Sequence, residues 1–223
     1  WVIRAWGEHW TSQLVARGQA VNLWEVDGIM NLNYQKRDGT QMAPSLVLVD
    51  SGDQTDMVYD FCVDTAEYTL PSKGASKKLE TDYKISTINK AGSRATGHPL
   101  VMVDTSKYKD RIAARMARKN GNGAWMVFRG IDDEYAAQVT AEHKINERQA
   151  NGKIVQKWVP KGSHKDNHYL DAEVYAMAAA DIRGARTWHL DKYEPSEAPK
   201  KSRSGSEAKE EQWIRENELE GWI

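Results

Sequence analysis

Two aspartates in this sequence stand at the ends of short apolar runs, where a carboxylate can take part in chemistry. Residues 46–49 precede Asp50, and residues 99–103 precede Asp104. Each run has the length and the β-branched residues of a buried strand, and helical spacing follows it. A strand that ends in a carboxylate can hold a metal ligand on a rigid support. The simpler interpretation of Asp50 is that it caps the next helix, and Ser106 can cap the helix after Asp104.

A histidine and an aspartate, His168 and Asp171, begin the helical pattern near residue 170. Their spacing of three residues puts both side chains on one helix face. Strand-end carboxylates that face a helix-borne acid suit a two-metal phosphodiester hydrolase, because Mg²⁺ and Mn²⁺ take oxygen ligands and Mn²⁺ tolerates histidine. We therefore predict a metal site made of Asp50, Asp171, His168 and Asp104. In the alternative, Asp171 offsets the helix dipole and His168 is solvated.

Other catalytic arrangements lack their motifs. The sequence contains no G-x-x-x-x-G-K-[ST], no G-x-G-x-x-G and no H-E-x-x-H, so it predicts neither a P-loop, nor a dinucleotide-binding turn, nor a zincin site. Its one cysteine, Cys62, excludes an internal disulfide and a cysteine zinc cluster, and it fits a reducing cytosol. Cys62 lies on the apolar face of a predicted helix, which is a packing position.

Basic residues are concentrated in one part of the chain. The net charge is −1 at pH 7, yet residues 73–119 contain twelve Lys or Arg and four Asp or Glu. A phosphate-binding face needs such a region, although a solvated loop and helix face would give the same pattern. The residues predicted to contact phosphates are Lys73, Lys77, Lys78, Lys107, Arg111 and Arg115.

The order of predicted elements indicates a mixed α/β fold with a partly parallel sheet covered by helices. Residues 76–98 are polar and without a clear period, which predicts a long loop. The pair Asn151-Gly152 predicts a hairpin turn within residues 143–158. Residues 167–183 form the strongest helical pattern in the sequence.

We expect one domain over residues 1–190, a flexible linker over residues 191–206 and an amphipathic tail over residues 207–223. No apolar run approaches the roughly 18 residues that a membrane span needs. The chain begins inside a strand-like run without a Met, so we expect it to be part of a longer polypeptide.

Six short motifs occur in order along residues 1–183. They are R-A-W-G (4–7), D-S-G-D (50–53) followed by V-Y (58–59), S-K-G-A-S (72–76), V-D-T-S-K (103–107), Q-V-T-A-E (138–142) and N-H-Y-L-D-A-E-V-Y-A-M-A-A (167–179). This ordered set resembles the C-terminal nuclease domain of lambda-like phage terminase large subunits. The resemblance implies an RNase H-like mixed sheet flanked by helices, and a Mg²⁺- or Mn²⁺-dependent endonuclease that cuts concatemeric phage DNA during packaging.

The resemblance also implies partners and catalytic residues. Double-stranded DNA, a small terminase subunit, the portal of the procapsid and an N-terminal ATPase domain of the same polypeptide would be the partners, in the host cell cytoplasm and without a membrane. Asp50 and Asp171 match catalytic acids of the family. His168 replaces the family's glutamate, and a related branch of terminases has histidine there. The family's first catalytic Asp lies on a strand before R-A-W-G that this chain does not contain, and the resemblance defines no role for Asp104 or Lys107.

Two other functions stay open at this point. Because the first acid is missing, the chain could be a non-catalytic module that binds DNA or docks on the portal. It could also be another RNase H-like enzyme, such as a transposase or resolvase. Metal binding with plasmid nicking would distinguish an enzyme from a binding module.

Overall fold

The computed structural model describes residues 1–36, 38–162 and 166–188, which belong to one compact unit. The strands are β1 (Val2–Trp6), β2 (Ser12–Arg17), β3 (Tyr34–Gln35), β4 (Gln41–Met42), β5 (Val47–Asp50), β6 (Thr69–Gly74), β7 (Tyr83–Thr87), β8 (Pro99–Val103), β9 (Trp125–Met126), β10 (Glu142–Arg148) and β11 (Ile154–Pro160). The helices are α1 (Leu23–Met30), α2 (Thr55–Asp64), α3 (Thr105–Met116), α4 (Asp133–Val139) and α5 (His168–Ile182), with a 3₁₀ turn over Glu8–Trp10. The linker and the tail predicted for residues 191–206 and 207–223 lie outside the described residues.

The strands form separate sheets. One has the order β5-β6-β8-β7, with the first three strands parallel and β7 antiparallel to β8. A second has the order β1-β2-β9, and β3-β4 and β10-β11 are two-stranded ribbons. The mixed α/β prediction is therefore confirmed, as is the hairpin around Asn151-Gly152. Within the described residues, however, no hydrogen-bonded ladder joins β1 to β5, although both strands contact α5.

Helix α5 lies at the centre of the unit and is buried on nearly all sides. It packs against β1, β5, α3 and α4, and the side chains of Val174, Met177 and Ala178 are completely buried. A helix with apolar residues on all sides is stable only when it is buried in the interior. Its many alanines let the neighbouring elements approach its backbone closely.

A buried ion pair joins α5 to β1. Arg4 donates from Nε and Nη2 to the two carboxylate oxygens of Glu173, at 2.7 and 2.9 Å, and neither side chain is exposed. The Arg4 guanidinium also stacks on Trp125, 3.6 Å from the ring centroid, and Tyr135 donates its hydroxyl to Glu173. This network sets the position of α5 relative to β1.

Two expectations from the sequence are wrong. Residues 76–98 are not a structureless loop, because they contain β7. This strand is at the sheet edge and most of its side chains are not buried, so it carries no clear apolar alternation. Asp104, not Ser106, caps α3, since its side chain accepts a hydrogen bond from the Lys107 amide. None of the described helices is long and apolar enough to cross a membrane.

Candidate active site

The carboxyl ends of β5, β6 and β8 lie at one edge of the sheet because the three strands are parallel. This edge carries Asp50 at the end of β5, Lys73 near the end of β6 and Asp104 just after β8. Helix α5 begins at the same edge, because Asp171 in its first turn lines one cavity with Asp50, whose charge raises the pKa of Asp171. Asp50 and Asp171 therefore come from elements that meet at one place.

Asp50 is exposed, and its carboxylate has two close neighbours. The Gly52 amide donates to Oδ1 at 3.0 Å, and the Tyr175 side chain of α5 lies close enough for the two groups to interact. Burial raises the pKa of Tyr175, and the Asp50 charge raises it further. The neighbouring Ser51 is buried and bonds to the Ser72 carbonyl at 2.9 Å, which anchors this turn to β6.

Asp171 has a 41% exposed side chain. It lies near the acids Asp50 and Glu142 and near Lys109. Burial raises the pKa of its carboxyl; Lys109 opposes that shift, whereas Glu142 and Asp50 add to it. The charge of Asp50, on a strand, thus acts on the carboxyl of Asp171, on a helix. An acid with a raised pKa beside another carboxylate is typical of functional sites, although structural charge networks also produce such shifts.

Two residues of this site, Lys109 and Glu142, were missed by sequence reasoning. The Lys109 ammonium lies 2.7 Å from Glu142 Oε1 and 3.3 Å from Asp171 Oδ1, and both its side chain and that of Glu142 are nearly buried. Asn167 donates to the same Glu142 oxygen at 2.7 Å. The available signals were weak: Lys109 occupies the buried face of α3, next to Tyr108 and Ile112, and Glu142 ends the Q-V-T-A-E motif.

His168 lies at the start of α5 but does not join the two acids. Its side chain is 82% exposed, and its Nε2 is 3.9 Å from Asp166. It does share a cavity of about 420 Å³ with Asp50 and Asp171, which β1, β5 and α5 line. His168 and Asp171 therefore line the same cavity, but the two side chains do not contact each other.

Asp104 stands apart from the other acids. It is 4% exposed, and its oxygens accept hydrogen bonds from the Leu79 and Lys107 amides at 3.1 and 3.2 Å. It follows the strand two positions from β5, so its Cα lies about 10 Å from that strand at a spacing of about 4.8 Å. Its oxygens are used to cap α3 and to hold the loop before β7, which is a structural role.

The predicted phosphate-binding residues divide into three groups. Lys73 lies at the sheet edge that carries Asp50, which we call the acid edge, and its Nζ is 3.4 Å from the Thr55 hydroxyl. Lys77 and Lys78 are exposed on the loop that follows. Lys107 is engaged structurally, because its ammonium donates to three carbonyls of residues 79–81. Arg111 and Arg115 lie around Trp10.

The described residues offer oxygen donors but no complete set of metal ligands. Among them, no group of three or more His, Cys, Asp or Glu side chains is placed to hold a metal ion. Asp50 and Asp171 offer the oxygen donors that Mg²⁺ and Mn²⁺ take, but the Lys109 ammonium partly neutralises Asp171. A complete metal site therefore needs at least one further ligand.

Comparison with known protein families identifies the domain. A family model described as terminase large subunit gpA, endonuclease domain, matches residues 1–191. No curated protein and no solved structure matches the chain significantly. The family match covers every described element, including the strand of Asp50 and the helix of Asp171. The chain therefore belongs to the family of terminase large subunit gpA endonuclease domains.

Proposed function

We propose that this domain is a Mg²⁺- or Mn²⁺-dependent endonuclease that cuts concatemeric phage DNA during genome packaging. The observation that carries the proposal is the meeting of Asp50 and Asp171 at one cavity, where the Asp50 charge helps to raise the pKa of Asp171. The family match supports a nuclease role in packaging. Metal dependence, the number of ions and the nature of the substrate are our proposals.

The residues at the acid edge would share the work as follows. Asp50, oriented by the Gly52 amide, and Asp171 would be the metal ligands, and a bound divalent ion would supply Lewis-acid activation of water and of the phosphate. The Lys109 ammonium forms an ion pair with Glu142 and reduces the electrostatic repulsion among the neighbouring carboxylates. Lys73, which leads to the exposed Lys77 and Lys78, is at the same edge and could hold a DNA phosphate.

We further propose that one more strand, with the family's first catalytic Asp, completes the site. The open space between β1 and β5 supports this, because both strands face the same cavity and both contact α5. A strand there would join the two larger sheets into one mixed sheet of the RNase H-like kind. The ATPase domain, the small terminase subunit and the portal are the proposed partners, in the host cell cytoplasm.

The test is cleavage of plasmid DNA by the complete polypeptide in Mn²⁺. We expect Asp50→Asn and Asp171→Asn each to reduce cleavage by at least about 100-fold while the fold is retained, because each removes a charged ligand. Asp64→Asn at the far end of α2 is the matched control and should cut normally. Retained cutting by both site variants would contradict the assignment.

The second candidate function is a non-catalytic DNA-binding or docking module. The observation in its favour is that the described residues contain no group of three metal ligands. Calorimetric titration with Mn²⁺ separates the two functions. Binding that disappears in Asp50→Asn supports the nuclease, whereas DNA binding without metal binding by the complete polypeptide supports the module.

A further inference from the structure

A second charged site lies around Trp10, beyond the other end of α5. Three arginines place their guanidinium groups near the Trp10 ring, with the carbon Cζ of Arg111, Arg115 and Arg186 at 5.8, 4.9 and 5.1 Å from the ring centroid. Arg118 is close to them, because its charge lowers the pKa of Arg115, and its guanidinium lies 2.5 Å from where a Cβ on Gly123 would be. We call Arg111, Arg115, Arg118 and Arg186 the arginine cluster.

The arginine cluster carries more positive charge than its acidic partners neutralise. Asp82 pairs with Arg111 at 2.7 Å and also with Arg186, and Asp181 accepts from Arg186 Nε at 2.7 Å. Neither Asp82 nor Asp181 forms an ion pair with Arg115 or Arg118. The Arg115 Nε is buried without a hydrogen-bond partner among the described residues. Burial lowers the pKa of Arg115, and the charges of the other three arginines lower it further.

The turn that holds Trp10 is strained. His9 and Trp10 both have left-handed backbone angles, with φ of 55° and 61°, a conformation that is unfavourable for residues other than glycine. The chain closes this turn with a hydrogen bond from the Gly7 amide to the Thr11 carbonyl at 2.8 Å. Strain of this kind persists where the surroundings impose it, and here it presents the indole ring to the arginines.

We infer that Arg115 and Arg118, supported by Arg111 and Arg186, form a binding site for backbone phosphates of duplex DNA. A guanidinium group matches the geometry of a phosphate and makes paired hydrogen bonds to it. The Trp10 ring is 3% exposed, so it braces the arginines and leaves no face on which a base could stack. The site therefore holds the DNA backbone without reading sequence.

The position of the arginine cluster suits a contact remote from the cut. From Asp171 to the end of α5 the helix rises about 16 Å at about 1.5 Å per residue, and the cluster lies beyond that end. This distance corresponds to about five base pairs, or half a turn of the duplex, at about 3.4 Å per step. The inference rests on the proposed function only in taking DNA as the ligand.

The experiment is the binding of a fluorescein-labelled 20-base-pair duplex, followed by anisotropy in EDTA at several salt concentrations. We expect Arg115→Ala/Arg118→Ala to weaken binding about 10-fold and to reduce the salt slope by about 1.8, the value for two lost phosphate contacts. Arg94→Ala removes one exposed arginine that pairs with Asp64, and it should bind as the wild type does. Arg115→Lys/Arg118→Lys should keep most of the salt slope.

The outcomes separate this site from the nuclease. EDTA excludes metal-dependent cleavage, so a protein that binds through the arginine cluster but never cuts in Mn²⁺ supports this inference and contradicts the nuclease proposal. The inference is overturned if the double variant binds DNA with the same affinity and salt slope as Arg94→Ala. It is also overturned if inorganic phosphate raises the melting temperature only when Arg115 is present, while DNA affinity does not depend on Arg115. If Arg115→Ala fails to fold, Arg118→Ala alone, at an exposed position, should still lower the slope by about 0.9.

Discussion

At the scale of single residues, Gly52 decides where the Asp50 carboxylate lies. Its amide donates to Asp50 Oδ1 at 3.0 Å, and a Cβ at this position would lie 3.3 Å from the same oxygen. That approach is closer than an ordinary carbon–oxygen contact. A side chain here would therefore move the carboxylate rather than strain a core.

We predict that Gly52→Ala lowers DNA cleavage by about 10-fold or more while changing the unfolding free energy by less than about 1 kcal/mol. The reason is that displacement of a catalytic group by a fraction of an ångström has a large kinetic cost. The matched control is Gly28→Ala, because no atom lies within 4 Å of an added Cβ there. It should leave cleavage intact and stabilise α1 by about 0.5–1 kcal/mol. Plasmid nicking and urea unfolding of both variants test the prediction.

Cys62 provides a prediction that depends on pH. The thiol is completely buried, and burial raises its pKa to about 11, against an opposing hydrogen bond with Thr69. We expect the native protein to resist iodoacetamide at pH 8.5, where an unfolded chain, with a thiol pKa of about 8.5, reacts readily. Fast alkylation of the native protein at that pH would contradict this prediction.

The same shift predicts how stability changes with pH. The folded state holds the Cys62 proton more tightly than the unfolded chain, so its contribution is complete below about pH 8.5. The contribution is then lost as the pH rises through about 11. Urea unfolding at pH 7 and pH 10 should show a loss that Cys62→Ala does not show.

The sequence predicted some of these residues and not others, for physical reasons. Asp50 and Asp171 were predictable because each stands at the end of a periodic element. Lys109 was not, since a lysine on an otherwise apolar helix face is identified only when its partners from other elements are known. Asp104 repeats the pattern of Asp50, yet it caps α3, because the hydrogen bonds of a strand-end Asp depend on the loop beside it.

At the scale of elements, the Arg4–Glu173 pair joins β1 to α5. Both side chains are fully buried, and the pair is bidentate. Arg4 was visible in the sequence only as part of the R-A-W-G motif, and Glu173 as an acid inside an alanine-rich helix. A buried ion pair adds little net stability compared with apolar residues, but it strongly disfavours any arrangement in which one charge is left alone. It therefore specifies how α5 is placed.

We predict that Glu173→Gln destabilises the protein by about 3–5 kcal/mol, because the buried guanidinium of Arg4 loses its counter-charge. The triple variant Arg4→Met/Tyr135→Phe/Glu173→Met removes both charges and the Tyr135 hydroxyl together, leaving only the Ser12 hydroxyl of the network, and it should recover most of that loss. The control is Glu147→Gln, whose 3.9 Å pair with Lys157 is exposed and contributes less than about 1 kcal/mol. Equal urea midpoints for the two glutamine variants would refute the assigned role.

At the scale of the whole molecule, α5 is shared by two sheets that do not pair with each other. Strands β1 and β5 line one cavity, and sequence patterns could not show this, because they describe each strand but not its neighbours. Within the described residues, the edges of β1 and β5 that face this cavity have no partner strand, so their backbone groups remain available for another strand. Charges are also separated along α5: Asp50 and Asp171 lie at its beginning, and the arginine cluster lies beyond its other end.

Amide hydrogen exchange can measure whether the backbone amides on the cavity side of β5 are hydrogen-bonded. The Val47 amide donates to the Tyr68 carbonyl and the Ser51 amide to the Ser72 carbonyl, both at 2.8 Å. Because successive amides of a strand point in opposite directions, those of Leu48 and Asp50 face the cavity.

We predict that in the 223-residue chain the Leu48 and Asp50 amides exchange at least about 100-fold faster than those of Val47 and Ser51, as expected for amides outside a ladder. A longer polypeptide that includes the proposed catalytic strand should protect Leu48 and Asp50 as strongly as their neighbours, because that strand would pair with β5. Asn146, in the β10-β11 hairpin, should exchange equally in both proteins and serves as the internal control. Equal, strong protection of the Val47, Leu48, Asp50 and Ser51 amides in the 223-residue chain would show that this edge is already paired, and that no place is left for a further strand.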